Sequence, residues 1–137
     1  MNRVLVDSNV LLDVFENDPG WGDWSEGILD RYRTSHVLSI NPVIYAEVSI
    51  GFSRIEELEA VIQGSGIVFE EIPREALFLA GKAFLAYRRR SGKKTSPLPD
   101  LFIGAHAAVA GWPLITRDTA RVASCFPGVR LISPERE

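Results

Sequence analysis

Cysteine occurs once in this sequence, as Cys125, and histidine twice, as His36 and His106. A lone cysteine excludes an internal disulfide framework and suits a reducing compartment. The same scarcity leaves too few ligands for a zinc site of the Cys/His type. A glycine-rich phosphate loop of the form GxxxxGK[ST] is missing, which disfavours a nucleoside triphosphatase of that kind. Long hydrophobic runs are missing as well. The longest charge-free apolar stretch, residues 101–112, is too short to span a bilayer. The first apolar run, Val4, Leu5 and Val6, is cut by Asp7 and does not make the hydrophobic region of a signal peptide. The expectation is a cytoplasmic protein that engages no membrane.

What is present suits a folded domain. The 137 residues are 46% hydrophobic and 24% charged, enough for a core under an ordinary surface. One domain is expected over residues 1–134, with 135–137 as a short tail. A net charge of −3 does not announce a nucleic-acid binder, but the charge is unevenly spread. Residues 47–75 hold seven glutamates. From Glu75 to Asp100 no acid intervenes, while Lys82, Arg88, Arg89, Arg90, Lys93 and Lys94 all fall there. Such segregation allows a basic face on an acidic molecule.

Residues 3–7 read as a buried strand, and 8–16 as a short helix with Ser8 as its N-cap. A turn-rich loop, "NDPGWGD", precedes a helix over 25–33 and a second strand over 36–40. Asn41 followed by Pro42 is a strong helix start. A further helix over 54–63 stops at Gly64, and 66–72 read as a third strand. Pro73 opens a long helix over 74–90, with Leu77, Ala80, Phe84 and Tyr87 on one stripe. The charge-free segment 100–111 reads as a buried helix. Strands over 113–116 and 129–133 flank a short helix or turn after Asp118. Strands alternating with helices predict an α/β fold, a three-layer α/β/α sandwich around a central, mainly parallel sheet.

Of the eighteen acidic residues, four stand in awkward places. Asp7 closes the first strand, where an open parallel sheet binds its ligands; alternatively it caps the next helix. Glu47, in "PVIYAEVSIGF", shares a helix face with Val43 and with Ile50 or Gly51. A glutamate on an apolar stripe is costly unless paired, or else it snorkels at the stripe's edge. Asp100 opens the charge-free helix, where the helix dipole also favours an acid. Asp118 follows the strand "PLIT" and so repeats the Asp7 arrangement. If the four converge, they repel. Two carboxylates ~4 Å apart repel by roughly 4 kcal/mol at an effective dielectric near ~20. Protons or a bound cation would relieve that, and an all-oxygen site selects hard ions such as Mg²⁺ or Mn²⁺. Phosphodiester hydrolysis is the chemistry such a site suits.

The stretches "VLVDSNVLLDVF", "PVIYAEVSIGF" and "LPDLFIGAHAAVAGWPLITRD", in this order, resemble the PIN-domain ribonucleases, most of all the VapC-type toxins of bacterial toxin–antitoxin pairs. The resemblance covers nearly the whole chain. It implies a metal-dependent endoribonuclease in which Asp7, Glu47, Asp100 and Asp118 hold one or two Mg²⁺ or Mn²⁺ ions and cleave single-stranded RNA. It also implies that Thr116 supports the last acid, that Ser8 or Asn9 supplies hydrogen bonds beside the first, and that the protein is a homodimer restrained by a small cognate antitoxin. One departure stands out. Many relatives carry a further acid and an aromatic after the fourth acid, where this chain has Arg121 and Val122. That bears on whether a second metal is held.

Other residues have plainer readings. Asp13 reads as helix surface or a local cap, His106 as a packed neutral core histidine, His36 as structural and Cys125 as a small packed side chain. Trp21 and Trp24 read as ordinary packing, with base stacking as the alternative. The segment "RRRSGKK" is either a solvated helix end or a grip on RNA phosphate, through Arg88, Arg89, Arg90, Lys93 and Lys94. Two rivals remain for the whole. An aspartate-based phosphohydrolase would use Asp7 as nucleophile, yet needs an acid where Asn9 stands. A non-catalytic RNA- or protein-binding module on the same fold would keep the basic segment and could dispense with the acids.

Overall fold

The apolar runs become the strands of a single parallel sheet. The computed structural model describes residues 2–91 and 98–135. The strands are β1 (Asn2–Val6), β2 (His36–Ile40), β3 (Val68–Phe69), β4 (Leu114–Ile115) and β5 (Leu131–Ile132), in the spatial order β3-β2-β1-β4-β5. Every neighbouring pair is parallel. Among the described residues seven α-helices flank the sheet: α1 (Ser8–Phe15), α2 (Gly22–Arg33), α3 (Pro42–Val48), α4 (Ile55–Gly64), α5 (Arg74–Ser91), α6 (Leu98–Ala110) and α7 (Ala120–Cys125). None of these helices is long and apolar enough to cross a membrane. The expected α/β class with its parallel sheet is what the chain adopts.

Both faces of the sheet are covered, which explains strands that read as continuous apolar runs. Val4, Leu5, Val6, Ile40, Leu114, Ile115 and Ile132 have no exposed surface, and Leu38 has almost none. β2 occupies the span expected for it. The outer strands are shorter than the sequence suggests. β3 is an edge strand that pairs only at Ser39 and Ile40, and Gly66 before it takes φ +70°, outside the extended region.

Two local expectations need correction. Ser8 is not the N-cap of α1 but its first residue. Asp7 is the cap, in extended conformation, with its carboxylate accepting a hydrogen bond from Ser8 N. On α5 the expected stripe holds at Ala80 and Phe84 but not at Leu77. Ala76 and Ala80 are fully buried, with Leu79, Ala83 and Phe84 against the core, while Leu77 is exposed. The small alanines are what let α5 lie against α6, the helix it packs on most. Elsewhere local rules hold. The Asn41 side chain accepts from Ile44 N at 2.9 Å, and Pro42 opens α3.

The strand order reverses at β1 and β4. In a doubly wound sheet the crevice at that switch, outside the carboxyl ends of the strands, is where ligands bind. The chain leaves β1 at Asp7 and β4 at Thr116, side by side, since Val6 pairs with Ile115. Beside this crevice α6 and α7 meet at Gly104. A Cβ there would lie 2.5 and 2.8 Å from ring carbons of Phe126 and 3.4 Å from Val122. Gly104→Ala should therefore overpack the seat of α7 and cost about 1–3 kcal/mol, read as a lowered urea midpoint; an unchanged midpoint would show that Phe126 moves aside freely.

Candidate active site

Asp7 stands at the carboxyl end of β1, at the switch point between β1 and β4. Its backbone continues the β1–β4 ladder, donating from N to Ile115 O at 2.9 Å. Its side chain is buried and held from two directions. One oxygen accepts from Ser8 N at 2.7 Å, and the other from Thr116 Oγ1 at 2.7 Å. The cap and the site are thus one residue: the two readings of Asp7 are both geometrically true.

Around it the other acids take different stations. Ser8 Oγ donates to Glu47 Oε1 at 3.0 Å, tying α1 to α3. Glu47 is half-buried beside the core residues Ile44 and Val48. The face expected for it was only partly right. α3 ends at Val48, and a 3₁₀ turn over Ser49–Gly51 turns Ile50 out to 85% exposure. Asp100, in the first turn of α6, pairs with Arg121 of α7. Asp118 is exposed; its backbone N donates to Thr116 Oγ1 at 3.1 Å, and its carboxylate has no partner among the described residues.

Thr116 and Asn9 stitch the two strand ends together. Asn9 Nδ2 donates to Thr116 Oγ1 at 3.4 Å, and Asn9 Oδ1 accepts from Arg117 N at 3.3 Å. Ser8, Asn9 and Thr116 each lie where a supporting residue is useful.

The electrostatics follow from the geometry. Burial pushes the Asp7 carboxyl up to about 6, against the pull of its bonds to Thr116 and Ser8 N, and Glu47 and Asp100 add to the rise. Glu47 is also raised, by burial first and by Asp100, with the Ser8 bond opposing. Asp7, Glu47 and Asp100 therefore feel one another's charge. All their donors are oxygens, and a hard divalent cation would relieve the strain that raises Asp7, so the set fits Mg²⁺ or Mn²⁺. Among the described residues no three acids yet close on a common point as a ligand group.

Asp13 is not surface. It is 4% exposed and accepts from Ser25 Oγ at 2.8 Å and from Arg117 Nε and Nη2 at 2.7 and 3.0 Å. The guanidinium of Arg117 lies 5.1 Å from the Trp21 ring centroid. A bidentate, charge-assisted pair of this kind fixes direction as well as position, and it braces the 116–118 turn against α1 and α2. Sequence reasoning missed Asp13 and Arg117, and it met Arg121 only as a departure. His106 is packed and neutral as expected: it is 1% exposed, near Asn41 Nδ2 at 3.2 Å, with burial lowering its basicity. Trp24 packs against the core, whereas Trp21 is exposed. Arg88, Arg89 and Arg90 are exposed at the end of α5; Lys93 and Lys94 lie outside the described residues.

Comparison with known proteins gives the geometry a context. A family model described as PIN domain matches residues 4–123. Among solved structures, VapBC2 from Rickettsia felis bound to a DNA fragment from its promoter superposes with a TM-score of 0.71 at 17% identity, covering 95% of this chain and 97% of that one. A toxin–antitoxin complex from Klebsiella pneumoniae gives 0.65 at 24% identity, covering 96% and 97%. DNA-bound VapBC from Salmonella typhimurium gives 0.68 at 24%, covering 97% and 98%. At these identities the structures attest the fold. No curated protein matches the sequence.

The raised Asp7 predicts a pH dependence with a definite sign. A carboxyl whose folded pKa lies above its unfolded value makes the fold lose stability as pH rises, here between about 4 and about 6. A rise of this size corresponds to about 3 kcal/mol. Asp7→Asn should remove that loss, so the chelator-treated variant melts higher than wild type at about pH 7 and less differently at about pH 4. Equal melting temperatures throughout would show that Asp7 is not strained.

Proposed function

The chain belongs to the PIN-domain family, and from that premise we propose that it is a metal-dependent endoribonuclease, the toxin of a toxin–antitoxin pair. The observation that carries the reading is the buried Asp7 carboxyl at the switch point of the sheet, raised first by burial and further by the charges of Glu47 and Asp100. A merely structural cap does not call for two further carboxylates near enough for their charge to raise it.

In this reading Asp7, Glu47 and Asp100 would hold Mg²⁺ or Mn²⁺; Asp118, expected with them, is exposed and exerts no charge effect on Asp7 or Glu47. A bound ion of that class supplies activation of the attacking water and stabilisation of the leaving oxygen. The rest of the work belongs to the chain. Thr116 and Ser8 N orient the two oxygens of Asp7, Ser8 Oγ orients Glu47, and Asn9 keeps the 116–118 turn beside them. Arg88, Arg89 and Arg90, with Lys93 and Lys94, grip the RNA backbone leading to Asp100. Residues 1–134 act as one domain in the cytoplasm. A cognate antitoxin is supported by the solved neighbours, which are toxin–antitoxin complexes. A homodimer is supported by the exposed Leu77, Phe78 and Leu85 of α5, an apolar face on an otherwise charged helix.

Purified protein should cleave single-stranded RNA with Mg²⁺ or Mn²⁺ and stop when the ion is chelated. Asp7→Asn and Asp100→Asn should each lower the rate by orders of magnitude, about 10²-fold or more. Full activity in both would overturn the mechanism, and RNA binding without cleavage or any need for an ion would instead favour a binding module.

Replacing Arg88, Arg89 and Arg90 together by Ala should weaken RNA binding and flatten its dependence on salt. An unchanged salt slope in a filter-binding titration would leave these residues as solvated surface.

A further inference from the structure

Arg121 is the one cation drawn into the acidic site of the described residues by a direct bond to a candidate ligand. Its guanidinium, carried by α7, pairs with Asp100 of α6 and lies 5.7 Å from the ring centroid of Tyr87 on α5. Three helices thus converge on this side chain. The pair is partly open to solvent, at 36% and 31% side-chain exposure. Partly exposed ion pairs contribute little to stability, so holding the helices together is a weak reason for its position.

The charge of the site gives a stronger one. Asp7, Glu47 and Asp100 act on one another electrostatically, while the Asp118 carboxylate stays outside this group, exposed. Three carboxylates and one guanidinium leave two negative charges, which a single divalent ion balances. A second divalent ion would meet a site already neutralised, would leave it net positive, and would also compete with Arg121 for Asp100. We propose that Arg121 is the site's built-in cation: it occupies Asp100 and restricts the site to one divalent ion. It is a positioning residue, acting through Asp100. The inference rests on the reading of these acids as a metal site.

Manganese binding tests it without recourse to RNA cleavage. Full-length protein, freed of metal, is titrated with Mn²⁺ alone by calorimetry, with bound ions counted by electron paramagnetic resonance. Wild type should take up one Mn²⁺ per chain. Arg121→Met should take up a second, with the spectrum of a coupled pair, and should bind the first about tenfold tighter, because a nearby positive charge is gone. Arg121→Lys should restore single occupancy. If the methionine variant does not fold, Arg121→Gln, which keeps a hydrogen-bond donor without charge, carries the same expectation. No Mn²⁺ bound by wild type would overturn the metal-site reading itself. Two ions bound by wild type, or one ion with equal affinity in wild type and the uncharged variants, would overturn the role of Arg121 and leave the metal site standing.

Discussion

Everything at the carboxyl end of this sheet depends on a carboxylate buried where it would rather be neutral. β1 runs through the core with no exposed surface at Val4, Leu5 or Val6, and then delivers Asp7 into the crevice. Buried charge of this kind survives only if its oxygens are satisfied. Here the satisfaction is divided. The Ser8 amide takes one oxygen as part of starting α1, and the Thr116 hydroxyl takes the other as part of ending β4. Neither bond neutralises the charge. They orient Asp7 while leaving it raised toward about 6.

That arrangement is only as rigid as the turn that carries Thr116, whose local bonds run between Thr116 and Asp118. Further bonds reach the turn from α1 and α2. Asn9 accepts from the Arg117 amide, and Arg117 drives its guanidinium onto the buried Asp13. Asp13 in turn takes the Ser25 hydroxyl from α2. A ladder of polar bonds therefore runs from the helix pair α1–α2 to the turn after β4. Breaking one partner of a nearly buried ion pair leaves the other uncompensated, so disturbance at Asp13, away from the reacting centre, would be felt at Asp7.

Local chemistry was legible in the sequence, and long-range pairing was not. β2, the Asn41–Pro42 helix start and the alternation that makes a parallel sheet all follow from near neighbours in the chain. The four acids stood out for the same reason, since each interrupts an apolar pattern. Asp13 did not, because what buries it is Arg117, 104 residues further on. A polar residue on a short helix looks like surface until its partner is known. The α5 stripe held at Ala80 and Phe84 but failed at Leu77 for a related cause: a large side chain suggested the buried face, whereas close approach to α6 selected Ala76.

Arg121 marks the point where sequence and structure say different things about one residue. As a letter in a pattern it is a lost acid. In space it lies on Asp100, and it reaches there because α7 is seated against Gly104, where no side chain intervenes before Phe126. The glycine, the short helix and the ion pair form a single device. Closeness of α6 and α7 sets the reach of Arg121, and that reach sets the charge the remaining acids present. Because a guanidinium stays protonated in proteins, the positive charge that Arg121 sets against Asp100 does not titrate away. Asp7 and Glu47 remain the pair whose charge is left for an ion to answer.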